Sequence, residues 1–292
     1  MTIWNLGSVN ADLVYRLPHL PEPGETLTAL GHQRGLGGKG ANMSVAAVRA
    51  GSRVEHIGAV GSDGAWMKDR LNDYGVGVTH LTQVDTVSGH AIIALDQAGE
   101  NQIIIVAGAN RAMDDTAMDT VLAGAEPGDI AVCQNETSAQ VGFARAAKAR
   151  GLRTAYAAAP FTVDAVREIM ADIDLLVLNA VEAAQLEAAL ERRIDTLPVA
   201  DIVITLGADG CRWIDTVSGE TRDFPAPKVK VVDTTGAGDT FTGYLLSALD
   251  QGHDMASAID IAARAGAVMV TRLGTADVIP TQAEIDAYFD AN

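Results

Sequence analysis

Short apolar runs and helix-spaced apolar positions alternate along most of this chain from about residue 115 onward. Runs typical of buried strands occur at 129–133, 153–157, 174–178 and 201–206. Apolar residues at helical spacing predict helices over 138–150, 163–171 and 180–192. Such regular alternation is typical of a largely parallel sheet covered by helices on both faces. The pattern therefore predicts an α/β fold.

The chain before residue 115 is less regular. Strands are predicted at 3–9 and 54–60, and helices at 41–50 and 64–74, with Gly51 placed to end the first of these helices. These elements extend the same strand and helix arrangement toward the N-terminus.

Two early segments fit poorly into a parallel sheet. The stretch 12–34 is polar and punctuated by prolines, with one strand-like segment at 26–29. Residues 91–95 and 102–106 are the arms of a predicted hairpin. We therefore assign 12–34 and 88–107 to a small β-strand lid beside the main sheet.

The last third of the chain begins with a hairpin predicted over 211–224, turning at Ser218-Gly219. Helices over 239–251, 254–272 and 281–290 follow it. No internal repeat or interdomain linker is visible, and 292 residues lie at the upper end of what one core usually holds. We expect residues 1–292 to form a single domain that carries the lid.

Charge and cysteine content exclude several classes of protein. The net charge of −17 comes without a cluster of Lys or Arg, so a nucleic-acid partner is not expected. Cys133 and Cys211 both lie in apolar runs, which indicates buried thiols in a reducing compartment. No signal peptide and no apolar run of about 18 residues is present, so we expect a cytoplasmic protein without a membrane partner.

Residues 233–241 (Asp-Thr-Thr-Gly-Ala-Gly-Asp-Thr-Phe) place small residues directly before a carboxylate and a predicted helix. The first N–H groups of a helix have no intrahelical partner, and the helix dipole adds roughly half a positive charge there. Small residues at Gly236, Ala237 and Gly238 allow an anion such as a phosphate to approach these groups. Asp239 beside that anion suggests a general base that takes a proton from an attacking hydroxyl. The motif predicts phosphoryl transfer to an alcohol; the alternative is a helix-capping Asp in an ordinary loop.

Residues 35–40 (Gly-Leu-Gly-Gly-Lys-Gly) match the spacing of a dinucleotide-binding loop. That fingerprint also needs a buried strand before it and an acidic residue at the end of the next strand. Here the preceding 26–34 is polar and Glu55 opens its strand, which argues against a nicotinamide oxidoreductase. Lys39 is followed by Gly40 rather than Ser or Thr, so a Walker loop does not fit either.

A polyol-binding role fits the same segment better. The glycines around Gly38 let the backbone approach a ligand, and Lys39 and Asn42 supply hydrogen bonds. Upstream, a strand ends with the amide of Asn10 and the carboxylate of Asp12, which are group types suited to vicinal hydroxyls. Turn chemistry is the alternative explanation for Asn10 and Asp12.

These segments, in this order, resemble the signatures of the ribokinase-like (PfkB-type) carbohydrate kinases over essentially the whole chain. The first signature corresponds to 37–42 with Gly51 and Gly61, and the second to 233–243. Further matching motifs lie at 23–26, 107–110, 134–136, 179–182 and 205–210. The resemblance implies a three-layer α/β/α sandwich with a lid, and ATP- and Mg²⁺-dependent phosphorylation of a primary hydroxyl of a sugar.

The resemblance also implies a role for individual residues. The sugar would contact Asn10, Asp12, Gly38, Lys39, Asn42 and Glu136. Asp239 would be the base, with an anion hole formed by Gly236, Ala237, Gly238 and the amide of Asp239. Asn179, Thr205, Gly207 and Gly210 would bind the nucleotide. Glu182 would organise Mg²⁺ through water, and Asp233 and Thr235 would match a monovalent-cation site for K⁺.

The acceptor first expected from the resemblance is D-ribose, phosphorylated on O5, by a homodimer that associates through the lid. A ketohexose such as fructose, a nucleoside, and a catalytically silent sugar-binding protein are the alternatives. A sugar phosphate is less favoured because no extra basic side chain accompanies Asp12. The chain departs from the family pattern at Met43, Ala157, Tyr244 and Val278. Ala157 leaves the nucleotide affinity open, and Val278 leaves activation by K⁺ open.

Overall fold

The computed structural model describes residues 1–291, in which strands and helices alternate. The strands are β1 (Thr2–Leu6), β2 (Asn10–Arg16), β3 (Gly31–Gly37), β4 (Arg53–Val60), β5 (Gly77–Gln83), β6 (Gly89–Leu95), β7 (Asn101–Val106), β8 (Ile130–Gln134), β9 (Arg153–Ala157), β10 (Leu175–Asn179), β11 (Asp201–Thr205), β12 (Cys211–Asp215) and β13 (Thr221–Phe224). The helices are α1 (Lys39–Arg49), α2 (Ala65–Asp73), α3 (Met118–Val121), α4 (Gln140–Ala149), α5 (Val163–Ile169), α6 (Ala180–Leu190), α7 (Ala237–Asp250), α8 (Met255–Met269) and α9 (Gln282–Asp290).

The main sheet has nine strands in the order β13-β12-β11-β10-β9-β8-β1-β4-β5. Every neighbouring pair from β5 to β11 is parallel, and the hairpin β12–β13 extends the sheet in antiparallel fashion. The central strands are buried along almost their whole length because helices cover both faces. The predicted α/β fold is confirmed.

Two hydrophobic clusters lie on opposite faces of this sheet. On one face α1, α7 and α8 pack together, with Tyr244 and Leu245 fully buried. On the other face α4, α5 and α6 contribute Phe143, Val166 and Leu186. Both faces are therefore mostly apolar, although a few buried polar side chains such as His56 and Ser44 bond to each other between the layers.

Helices α1 and α7 approach each other closely because glycine lies at their contact. A Cβ on Gly243 would lie 2.5 Å from the Cβ of Ala46. At the start of α1, a Cβ on Gly40 would lie 2.3 Å from the Cα of Gly7. These close contacts hold the start of α1 against the residue that follows β1, and hold α7 against α1.

The second sheet has four strands in the order β3-β2-β6-β7, in which β2 and β6 are parallel and the other pairs antiparallel. It is built from the two segments that sequence patterning separated from the main sheet. The predicted strand at 26–29 is wrong, since these residues form no strand and the pairing is made by β2 and β3 instead. Strand β5 was also not predicted. Because β3 is an antiparallel strand of the small sheet, the loop after it does not belong to a dinucleotide-binding βαβ unit.

The predicted helices are present with ends shifted by a few residues, the largest change being α8, which ends at Met269 rather than 272. Both cysteines are buried free thiols, as predicted. Within residues 1–291 no helix has the length and apolar character needed to cross a bilayer.

Candidate active site

The predicted catalytic and binding residues gather where the carboxyl ends of the parallel strands face the first turns of α1, α6 and α7. Asn179 ends β10 and caps α6, while Lys39 opens α1 and Asp239 lies in the first turn of α7. Ligands of open α/β sheets bind at this edge. The sheet therefore brings together groups that are far apart in sequence.

Asp239 is buried, and its carboxylate faces α1. The side-chain amide of Asn42 donates to Asp239 Oδ2 at 2.8 Å. Burial raises the pKa of Asp239, whereas the ammonium of Lys39 and the Asn42 hydrogen bond oppose the rise; Glu136 adds to it. A positioned carboxylate with a raised pKa is suited to accept a proton from a hydroxyl.

The turn before α7 presents backbone N–H groups. Gly236 has φ of 72°, a left-handed conformation that favours glycine. The N–H groups of Gly236, Gly238 and Asp239 have no hydrogen-bond partner among residues 1–291. The N–H of Ala237 instead donates to the carbonyl of Thr234 at 3.2 Å. This bond closes the loop before α7 while the other three amides are unpaired, and the anion hole predicted at Gly236, Ala237 and Gly238 stays a prediction.

Lys39 lies among three carboxylates. Its backbone N–H donates to Glu136 Oε2 at 3.1 Å, and its ammonium acts to lower the pKa of both Asp239 and Glu182. The preceding Gly38 has φ of 96°, and a Cβ there would lie 2.8 Å from the carbonyl oxygen of Ser8. Glycine at 38 is therefore required for the turn that presents Lys39.

Asn10 and Asp12 project from the same face of β2, since they are two residues apart in a strand. Burial raises the pKa of Asp12 to about 6, and the negative charges of Glu136 and Asp277 add to the rise. The hydroxyl of Thr275 lies 3.1 Å from Asp12 Oδ2 and opposes the rise. These groups offer both donors and acceptors to a hydroxylated ligand.

Asn179 and Glu182 form a capping box at the start of α6. The Asn179 N–H donates to Glu182 Oε2 at 2.7 Å, and the Glu182 N–H donates to Asn179 Oδ1 at 2.9 Å. Burial raises the pKa of Glu182. The capping box explains why the two residues occur at this spacing, and it leaves Glu182 Oε1 without a hydrogen bond among residues 1–291.

A cleft of about 470 Å³ lies beyond the first turn of α7. Three of its lining residues, Thr205, Gly207 and Gly210, were predicted to contact a nucleotide. The cleft extends to Ala237 and Gly238, so it ends at the turn that precedes Asp239. The remaining walls are mostly small and apolar, which suits a planar base.

Asp233 joins the loop before α7 to the segment 272–278. Its Oδ1 accepts the N–H of Thr235 at 2.9 Å and the hydroxyl of Thr235 at 2.7 Å, and its Oδ2 accepts the N–H of Gly274 at 3.3 Å. The Arg272 guanidinium donates to the carbonyl of Val278 at 3.0 Å. In the part of the chain that the structure describes, no three His, Cys, Asp or Glu side chains are arranged to hold a metal. Cation binding by Asp233 and Thr235 stays a prediction.

Three polar residues of the site escaped prediction from sequence. The Ser8 hydroxyl donates to Glu136, Thr275 contacts Asp12, and the Asn110 side chain donates to Asn10 at 2.7 Å. Asn110 ends a Gly-Ala-Asn motif that was visible in the sequence, but its partner is 100 positions away. Nothing in a single sequence indicates that pairing.

The fold and the site together define a phosphotransferase scaffold of the α/β class, and comparison with known proteins identifies its family. Residues 3–282 match the pfkB family of carbohydrate kinases. The ribokinase of Haemophilus influenzae is 33% identical over 97% of this chain and 96% of its own length. The deoxyribokinase of Salmonella typhi is 29% identical over the full length of both. The structure of Arabidopsis thaliana ribokinase complexed with ribose and ATP superposes with a TM-score of 0.85, at 27% identity, covering 98% of this chain and 97% of the other.

The chain belongs to the pfkB family of carbohydrate kinases and is a sugar kinase. The family resemblance inferred from the two sequence signatures is confirmed.

Proposed function

We propose that the protein transfers the γ-phosphoryl group of ATP to O5 of D-ribose, giving ribose 5-phosphate. The observation that carries this proposal is the position of Asp239. Asp239 lies between two groups of residues. On one side are Asn42 and Lys39, which were predicted to contact the sugar, and on the other is the cleft that ends at Gly238. The ribose and ATP in the Arabidopsis relative, and the ribokinase of Haemophilus influenzae, support the choice of both substrates.

In this mechanism Asp239 accepts the proton of the primary hydroxyl while the sugar oxygen bonds to the γ-phosphorus and the bond to the leaving ADP oxygen breaks. The free amides of Gly236, Gly238 and Asp239, at the positive end of α7, stabilise the negative charge on the transferring group. Lys39 adds a positive charge on the same side. The chain contributes mainly positioning and charge stabilisation, as phosphoryl transfer requires.

The carboxylate available at this site is sufficient for Mg²⁺ bound in the way that is usual in kinases. Mg²⁺ is held by one or two carboxylates together with substrate phosphates and water. Glu182, with one oxygen free of the capping box, is the residue that would hold it through water. The ion would neutralise phosphate charge when bound.

The small sheet is proposed to act as the lid and as the dimer contact. Its outer strand β7 has three consecutive isoleucines, Ile103, Ile104 and Ile105, that are 52%, 62% and 65% exposed. An exposed apolar edge strand is suited to pairing with a second copy. A closed lid excludes water and so limits hydrolysis of ATP.

An acceptor screen with coupled detection of ADP tests the substrate. We expect the highest kcat/KM for D-ribose among ribose, 2-deoxyribose, fructose and a nucleoside such as adenosine. A higher kcat/KM for any of the others would reject the ribose assignment while leaving the kinase in place. Calorimetric binding of sugar with no ADP formed would instead support a catalytically silent sugar-binding protein.

A further inference from the structure

Two buried asparagines connect the small sheet with the acceptor side of the site. Asn110 lies in the short helical turn Gly108–Arg111, and Asn10 opens β2. Their exposed fractions are 2% and 6%. The Asn110 Nδ2 donates to Asn10 Oδ1 at 2.7 Å, and Asn110 Oδ1 accepts the backbone N–H of Val9 at 3.0 Å.

Hydrogen-bond chemistry fixes the orientation of both amides. A backbone N–H can only donate, so the atom of Asn110 that faces Val9 is its oxygen. The nitrogen of Asn110 therefore faces Asn10, and the atom that receives it is the oxygen of Asn10. This leaves Asn10 Nδ2 without a hydrogen-bond partner among residues 1–291. The nitrogen is accessible and not fully enclosed by protein.

The backbone is shaped to permit this pair. Gly89 at the start of β6 lies opposite Asn10 in the parallel pair β2–β6. A Cβ on Gly89 would lie 2.1 Å from Asn110 Nδ2 and 2.3 Å from Asn10 Oδ1. Any side chain at 89 would displace the two amides, so the glycine and the amide pair form one unit.

We propose that Asn110 is a positioning residue that holds Asn10 as a hydrogen-bond donor. The sugar must then place an oxygen atom beside Asn10 Nδ2. The inference rests on the proposed sugar kinase function and deepens it. Asp12, on the same face of β2, is a hydrogen-bond acceptor when ionised. A donor beside an acceptor matches a vicinal diol, whose hydroxyls accept from Asn10 and donate to Asp12.

This arrangement distinguishes a sugar from its deoxy analogue. A sugar that lacks the oxygen at Asn10 leaves a desolvated amide donor unpaired, which weakens binding. If the Asn10 amide were free to rotate, it could turn its oxygen toward a sugar that lacks this hydroxyl. Binding of the deoxy sugar would then be weakened less. Asn110 prevents that rotation.

Asn110→Asp reverses the orientation, because a carboxylate has no donor. One oxygen of the new carboxylate keeps the hydrogen bond from the Val9 N–H. The other accepts from the Asn10 Nδ2, so that Asn10 then presents its Oδ1 to the sugar. We expect KM for ribose to rise about 10- to 100-fold and kcat to change less than about threefold. One of the two analogues, 2-deoxyribose or 3-deoxyribose, lacks the hydroxyl that would accept from Asn10. For that analogue we expect kcat/KM to change less than about threefold. Discrimination between ribose and that analogue should therefore fall about tenfold or more.

A double mutant separates positioning from a merely structural role. In an Asn10→Ala background, Asn110→Asp should leave the discrimination ratio unchanged, because the side chain through which it acts is absent. Asn72→Asp, which adds the same charge at an exposed position of α2, should behave as wild type. Asn110→Ala repeats the comparison of ribose with its deoxy analogue without adding a charge. Thermal melting identifies any variant that fails to fold.

The proposal is overturned if Asn110→Asp lowers kcat/KM for all three sugars in the same proportion, or if its effect on the ratio persists without Asn10. If the acceptor screen selects another polyol, the ribose assignment fails, and the same variants are measured on that polyol and its deoxy analogues. If no ADP forms at all, the same comparison is made on sugar Kd values by calorimetry. Non-additivity between positions 10 and 110 decides the inference in each case.

Discussion

Asn42 donates its side-chain amide to Asp239 at 2.8 Å, although the two residues are 197 positions apart in the chain. Asn42 lies in the first turn of α1 and Asp239 in the first turn of α7. The close packing of α1 on α7 at Ala46 and Gly243 holds these turns together. The orientation of the candidate base is therefore fixed by the core and not by a flexible loop.

Replacing Asp239 by Asn should abolish most of the activity. The amide is nearly isosteric but cannot accept the hydroxyl proton, so we expect kcat to fall by roughly three or more powers of ten. Sugar Kd, measured by calorimetry, should change far less. Asp69→Asn, which neutralises an exposed carboxylate on α2, is the control. A variant at 239 with kcat near wild type would remove Asp239 from the role of base.

Asn42→Ala should change the pH dependence of catalysis. The Asn42 hydrogen bond favours the charged form of Asp239, against the effect of burial. Its loss raises the pKa of Asp239 further, so the acidic limb of the kcat/KM profile should move to higher pH. The profile is measured from pH 5 to pH 9 with the coupled ADP reaction. A limb that stays in place, or moves to lower pH, would mean that the limb reports another group.

Gly266→Leu should impair nucleotide binding selectively. Gly266 lines the cleft, and a Cβ built on it meets only Ala237 and Phe241, at 3.7 and 3.8 Å, so an alanine fits there and a leucine projects into the cleft. We expect KM for ATP to rise about tenfold or more in Gly266→Leu, with KM for the sugar nearly unchanged. Gly266→Ala is the matched control and should keep the wild-type KM for ATP. Equal rises in both KM values would place the nucleotide elsewhere.

His56 should make the protein less stable in mild acid. Burial lowers its pKa to about 4, and its ring contacts Ser44 and the carbonyl of Gly7. An unfolded histidine takes up its proton near pH 6.5, so protonation favours the unfolded chain as the pH falls from 6.5 to 4. The contribution is at most about 3 kcal/mol, from 1.36 kcal/mol per pKa unit.

Urea unfolding at pH 7.5, 6.5, 5.5 and 4.5 measures this effect. His56→Gln keeps a donor at the site but does not titrate, so its free energy of unfolding should decline less over the same range. Parallel pH profiles of the two proteins would show that other groups determine the acid sensitivity.

The sequence predicted the strands that are buried on both faces and the two hairpins, and it missed β3 and β5. β8 and β10 are continuous apolar runs, so composition alone identifies them. β3 (Gly-His-Gln-Arg-Gly-Leu-Gly) is largely exposed and polar, and it forms a strand because β2 pairs with it. Segment 26–29 has the composition of a strand but no partner in either sheet. Tertiary pairing, which local patterning does not contain, decides both cases.

The candidate site divides in the same way. Asp239 and its glycine-rich turn were predicted because the motif is contiguous and its chemistry is local. The contacts that orient the site, such as Asn110 with Asn10, join residues that only the folded sheets bring together. The capture of the Ala237 amide by Thr234 is also a detail of backbone conformation that residue types do not reveal.

Ile104→Lys should disrupt the proposed dimer. Ile104 is the middle residue of the exposed isoleucine run on β7, and a charged side chain on an edge strand opposes pairing with another copy. We expect sedimentation velocity to show a dimer for the wild type and a monomer for the variant at micromolar concentration. Val217→Lys, at an 82% exposed position in the β12–β13 hairpin, should remain dimeric. Since the small sheet is also the proposed lid, the monomer should hydrolyse ATP faster relative to sugar phosphorylation. A wild type that sediments as a monomer would refute the dimer and leave the active site unaffected.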